Sequence, residues 1–151
     1  DFEEDQLTSP KMDETNEAYF DPEGYYYFLG DSPKGFEDFK QFNINNKNLD
    51  VNPKDRHYGE LIKPNGSMIL LDEKKGTYLR FENLEISNGK VHFDAQSKNG
   101  LSYEFDGEFL VRGNFYTLDE NAKVLEGVLT KKEYGKTVAE SRVTFGWGID
   151  F

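Results

Sequence analysis

The sequence predicts an all-β protein. Its strands form an antiparallel meander of about eight, closed or nearly closed into a β-barrel, with a two-sheet sandwich as the alternative. Three observations carry this prediction. Apolar residues alternate with polar ones through most of the chain after residue 58. Glycine-containing turns separate the alternating runs. The parity of the apolar positions on successive runs also agrees with the lengths of the loops between them. Residues paired across a hairpin share a face, so even positions opposite odd ones require an even loop, and odd opposite odd an odd loop.

Residues 1–22 form an acidic N-terminal segment ahead of a single barrel domain, 23–151. Residues 1–23 hold nine acidic residues against one base, Lys11. That is −8 of the net −11, leaving −3 for the rest of the chain. Ser9 as N-cap and Pro10 at the first helical position suggest a short helix here. Phe2, Leu7, Met12, Tyr19 and Phe20 are the apolar residues with which the segment can dock on the body. Gly24 to Gly30 reads as a strand apolar on both faces, and residues 31–57 as a loop with one short strand around Phe42-Asn43-Ile44.

From residue 58 the reading is strand 58–62, strand 67–72, strand 77–86, strand 90–96 and strand 101–111. A poorly patterned stretch, 112–123, follows, and then strands 124–131 and 137–147. Lys63-Pro64-Asn65-Gly66 is read as the turn between Gly59–Ile62 and Ser67–Leu71. This puts the glycosylation-type sequence Asn65-Gly66-Ser67 at a hairpin tip. The apolar phase changes between Leu79/Phe81 and Leu84/Ile86, which calls for a bulge near Asn83. Asn88-Gly89 supplies a two-residue type I′ turn, placing Ile86 opposite Val91 and Leu84 opposite Phe93. Lys98-Asn99-Gly100 is an odd loop, placing Phe93 opposite Phe105 and Ala95 opposite Tyr103. Glu133-Tyr134-Gly135 reads as a second odd loop, and Gly107 as a bend in its strand.

A chain of 151 residues buries roughly 68–70% of its unfolded surface as one domain. With 13 Phe and 9 Tyr, aromatic rings dominate the expected core. The absence of cysteine excludes disulfides, thiolate metal sites and cysteine nucleophiles. No apolar run reaches the roughly 20 residues of a membrane helix. Without a basic stripe, nucleic acid is not an expected partner. The sequence opens at Asp1 rather than methionine, and the expectation is an exported protein.

Gly100-Leu-Ser-Tyr-Glu-Phe-Asp-Gly-Glu-Phe-Leu110, Val124-Leu-Glu-Gly-Val-Leu-Thr-Lys131 and Gly135-Lys-Thr-Val-Ala-Glu140 resemble a C-terminal pattern in small, functionally uncharacterised all-β bacterial proteins. The resemblance covers the last third of the chain and implies no function. Gly146-Trp147-Gly148 resembles the Gly-x-Trp motif of lipocalins. That motif belongs to a lipocalin's first strand, whereas this one ends the chain, so no residue role transfers. A calycin-like barrel remains the expected architecture.

Two groups of residues carry candidate chemistry. Tyr25, Tyr26, Tyr27 and Trp147 are a candidate ligand-binding platform or pocket wall, or else core. On the outward face of the central hairpin, Lys90, His92 and Asp94 lie opposite Glu108, Asp106 and Glu104. His92, Asp94, Glu104 and Asp106 make a carboxylate cluster able to hold a cation or exchange protons; the alternative is an ordinary solvated face. His57 has no serine or cysteine nearby that suggests a triad. Asp50-Val51-Asn52-Pro53 and Asp119-Glu120-Asn121 lack the spacing of a calcium loop and read as turns.

The expected function is a non-enzymatic, soluble, exported β-module that binds a macromolecular partner, without cofactor, resident metal or catalytic residues. The alternatives are a carrier of small hydrophobic ligands in a hollow barrel, and a carboxylate-dependent enzyme acting on carbohydrate.

Overall fold

The computed structural model describes residues 20–45, 64–71, 76–113, 115–116 and 118–149. Eight antiparallel strands form a closed barrel in simple up-and-down order. They are β1 (Gly24–Phe28), β2 (Phe39–Asn45), β3 (Asn65–Leu71), β4 (Gly76–Ser87), β5 (Lys90–Gln96), β6 (Leu101–Phe109), β7 (Leu125–Glu133) and β8 (Lys136–Gly148). Pairing of β1 with β8, Tyr26 opposite Trp147, closes the barrel. Closure leaves no sheet edge among the described strands, and it removes the sandwich alternative. Among the described residues there is no helix.

The central hairpins follow the parity argument. Asn88 and Gly89 have φ of 55° and 79°, as the I′ turn requires. Ile86 pairs with Val91 and Leu84 with Phe93, then Phe93 with Phe105 and Ala95 with Tyr103. The phase change in β4 is a bulge between Phe81 and Asn83.

Two expectations need correction. Asn65 and Gly66 are not a turn: they open β3, paired with Asn45 and Ile44 of β2. A Cβ on Gly66 would run into the Asn43 carbonyl oxygen, so the glycine serves close strand approach. The proposed partner arm, 58–62, lies outside the described residues, as do the Ser9-Pro10 helix, Asp50–Pro53 and His57.

The β7–β8 connection is also not a three-residue loop. Glu133 pairs with Lys136 across a two-residue turn, with Tyr134 and Gly135 at φ of 50° and 84°. The odd parity is absorbed by a bulge: Lys131 pairs with Ala139 but Lys132 with Thr137, leaving Val138 as the extra residue. A primed two-residue turn matches strand twist better than a longer loop, and the bulge restores the inward phase.

Aromatic rings occupy the interior. Phe42 stacks on Tyr26 with centroids 4.7 Å apart and meets Phe93 at 4.9 Å and Phe145 at 5.0 Å. Phe81 stacks on Phe93 at 4.1 Å, and Phe105 lies 5.5 Å from Phe145. Offset and edge-to-face pairs at these separations add to the stabilisation from burial alone. At one end, Phe20 packs on Phe109 at 5.1 Å and Phe115 on Trp147 at 5.5 Å, while the Asp21 N–H donates to the Gly113 carbonyl. Of the apolar residues in the acidic segment, Phe20 is the one described, and it is buried.

At the other end, the connection between β1 and β2 lays Phe36 into the core. Asp38 Oδ2 accepts from the Tyr103 hydroxyl at 3.2 Å and lies 3.6 Å from Lys131 Nζ. Lys131 also donates to the Gly35 carbonyl at 3.3 Å. Burial, and then the neighbouring Asp38 carboxylate, push the Tyr103 phenol well above its ordinary range.

Candidate functional site

With rings inside, polar chemistry gathers outside, and the register assembles it on the wall formed by β4–β8. Alternation turns even-numbered positions of β5, β6 and β7, and of β8 beyond its bulge, outward. Successive pairings then line them up in rungs. One rung runs Glu85, His92, Asp106, Val128, Arg142. The next runs Asn83, Asp94, Glu104, Thr130, Glu140. A third runs Ser87, Lys90, Glu108, Glu126, Thr144.

His92 stands near the centre, its side chain 29% exposed, with Nδ1 2.7 Å from Asp106 Oδ1 and Nε2 3.5 Å from Asp94 Oδ2. The Asn83 amide donates to both oxygens of Asp94 at 3.2 Å. Glu104 is 3.7 Å from Lys132, and Glu126 is 3.9 Å from Arg142. Thr130 donates to Glu140 at 3.2 Å. Partial burial alone would lower the His92 pKa, but the Asp106 and Asp94 carboxylates outweigh it and hold the imidazole above its usual value. A shallow cleft of about 250 Å³ opens beside it, lined by Glu85, Ser87, Lys90, Val91, His92, Asp106 and Gly107.

The wall thus brings together the four residues His92, Asp94, Glu104 and Asp106. Asn83 was not legible in the sequence as a member of this group, because it reaches Asp94 only where the β4 bulge rephases the strand. Glu126 and Thr130 join through the β6–β7 pairing, which spans the unpatterned stretch 112–123, and Glu140 follows opposite Thr130 across the β7–β8 hairpin; none of the three was legible in the sequence as part of the group. The Asp38–Tyr103–Lys131 group was equally invisible, because nothing local ties residue 38 to residue 131.

Tyr25, Tyr26, Tyr27 and Trp147 are neighbours in the β1–β8 pairing, yet they do not share a surface. Tyr26 is fully buried and donates to the Pro22 carbonyl at 2.5 Å. Trp147 faces the same end of the barrel, packs against Phe115 and Tyr116, and donates from Nε1 to the Glu23 carbonyl at 3.0 Å. Tyr27 points outward and donates to the Glu120 carbonyl at 2.8 Å. Tyr25 lines a cleft of about 320 Å³ with Glu23, Gly24, Asn43, Ile44, Asn45, Tyr116 and Ile149. A single stacking platform from all four is therefore not what the pairing builds.

Compared with protein-family models, curated proteins and solved structures, the chain matches none.

Proposed function

We propose that the protein is a non-enzymatic binding module that meets a basic protein surface with the outer wall of β4–β8. The observation that carries this reading is the occupied interior. Phe42, Phe81, Phe93, Phe105 and Phe145 take the space a hydrophobic ligand would need, which weighs against the carrier alternative. Among the described residues, acidic side chains gather on the one wall instead. Glu85, Asp94, Glu104, Asp106, Glu108, Glu126 and Glu140 stand there against Lys90 and Arg142 on the same three rungs and Lys132, which pairs with Glu104 from the next. An acidic patch of this kind steers a basic partner and sets its orientation, with an on-rate that falls as salt rises.

A photoreactive residue at Ser87, on the edge of the wall, tests the reading. It is expected to capture a partner with a basic surface. Capture should weaken with added salt and disappear in the triple variant Glu104→Lys, Glu108→Lys, Glu126→Lys. Capture indifferent to both salt and charge reversal sinks the proposal.

A further inference from the structure

We propose that His92, Asp106 and Glu104 form a binding site for a divalent transition metal of the zinc class on the outer wall. One imidazole nitrogen and one carboxylate oxygen from each of the two acids lie within 4.8 Å of one another. Bond lengths of about 2.0–2.2 Å to a tetrahedral zinc ion put donor atoms roughly 3.3–3.5 Å apart. To admit the ion, the 2.7 Å separation of His92 and Asp106 must open slightly, and Glu104 must turn from Lys132, 3.7 Å away.

The backbone beneath is firmly held. His92 pairs with Asp106 and Asp94 with Glu104 in the β5–β6 ladder, and Val91, Phe93 and Phe105 anchor the inner face of the same strands. Donors on paired strands are better preorganised than donors on loops.

The second observation concerns the far side of the imidazole. Metal-bound histidine is commonly oriented by a carboxylate on its other ring nitrogen. Here His92 Nε2 faces Asp94 Oδ2 at 3.5 Å, and Asp94 is held by the Asn83 amide. His92 therefore has a carboxylate beside each ring nitrogen, so that one can act as ligand while the other orients the ring. The cleft beside it, with Glu85 on its rim, leaves room for a fourth ligand, water or carboxylate. The imidazole selects zinc-class ions over calcium and magnesium, which prefer oxygen donors throughout.

This inference does not rest on the partner reading, because the probe is the metal alone. Titration of the full chain with zinc chloride, followed by calorimetry and by amide NMR, should show one saturable site with shifts centred on residues 92, 104 and 106. His92→Gln and Asp106→Asn should each weaken binding at least tenfold. His57→Gln, the only other histidine variant available, should leave it unchanged, and calcium at equal concentration should not displace zinc. Absence of saturation below millimolar zinc overturns the proposal. So does zinc binding that survives His92→Gln, or binding that is lost in His57→Gln.

Discussion

His92 sits between two carboxylates, so its protonated form is favoured in the folded chain. Partial burial opposes this, and Asp106 and Asp94 prevail. The neighbouring charges are Glu85 on β4, Lys90 and Asp94 on β5, and Glu104 and Asp106 on β6. A histidine pKa raised on folding contributes stability that is fully present below its unfolded value, about 6.5. That contribution is lost as pH rises through the folded value. The expected result is that His92→Gln melts below the wild type at pH 5.5, with the gap closing by pH 8.5; calorimetry at the two pH values checks this, and a gap that widens with pH contradicts it. The outward placement of His92 opposite Asp106 was legible from alternation, because one tight turn transmits register without error. The Asn83 contact to Asp94 was not, because it needs the bulge and a side-chain direction together.

Among the elements, Gly107 of β6 directly opposes Gly127 of β7. A Cβ on Gly127 would collide with the Asp106 carbonyl oxygen and stand 2.5 Å from Gly107 Cα. These are backbone atoms that cannot rotate away. Gly127→Ala is expected to cost about 1–3 kcal/mol or more, measured by denaturant unfolding, and to shift the amide resonances of 105–107. A neutral outcome would mean that the two strands separate easily. The β7–β8 hairpin shows why parity alone underdetermines a connection. A three-residue loop and a two-residue turn with a bulge at Val138 satisfy the same odd count. Strand twist selects between them, and it acts over the whole sheet rather than at the turn.

For the whole molecule, the decisive quantity is how the interior is filled. Phe42 touches Tyr26, Phe81, Phe93, Phe105 and Phe145, so its ring joins opposite sides of the barrel. Phe42→Ala is expected to cost about 3–5 kcal/mol. If the variant stays folded, its cavity should take up a benzene-sized apolar ligand that the wild type ignores, as an engineered dry cavity does. Thermal shifts of both proteins with benzene make the comparison. An equal shift in the wild type would restore the carrier reading.

The sequence by itself determined the all-β class, the central hairpin registers, the β4 bulge and the outward face of His92, Asp94, Glu104 and Asp106. All of these depend on alternation and turn chemistry, which act between residues close in the chain. Tertiary structure decided that β1 closes on β8 and that the rings of Tyr26 and Phe42 meet inside. It also joined Glu126 and Glu140 to the acidic wall and set Asp38 beside Lys131. Those outcomes turn on pairings between segments far apart in sequence. Only the closing of the barrel chooses among them, since it must bury every inner face at once.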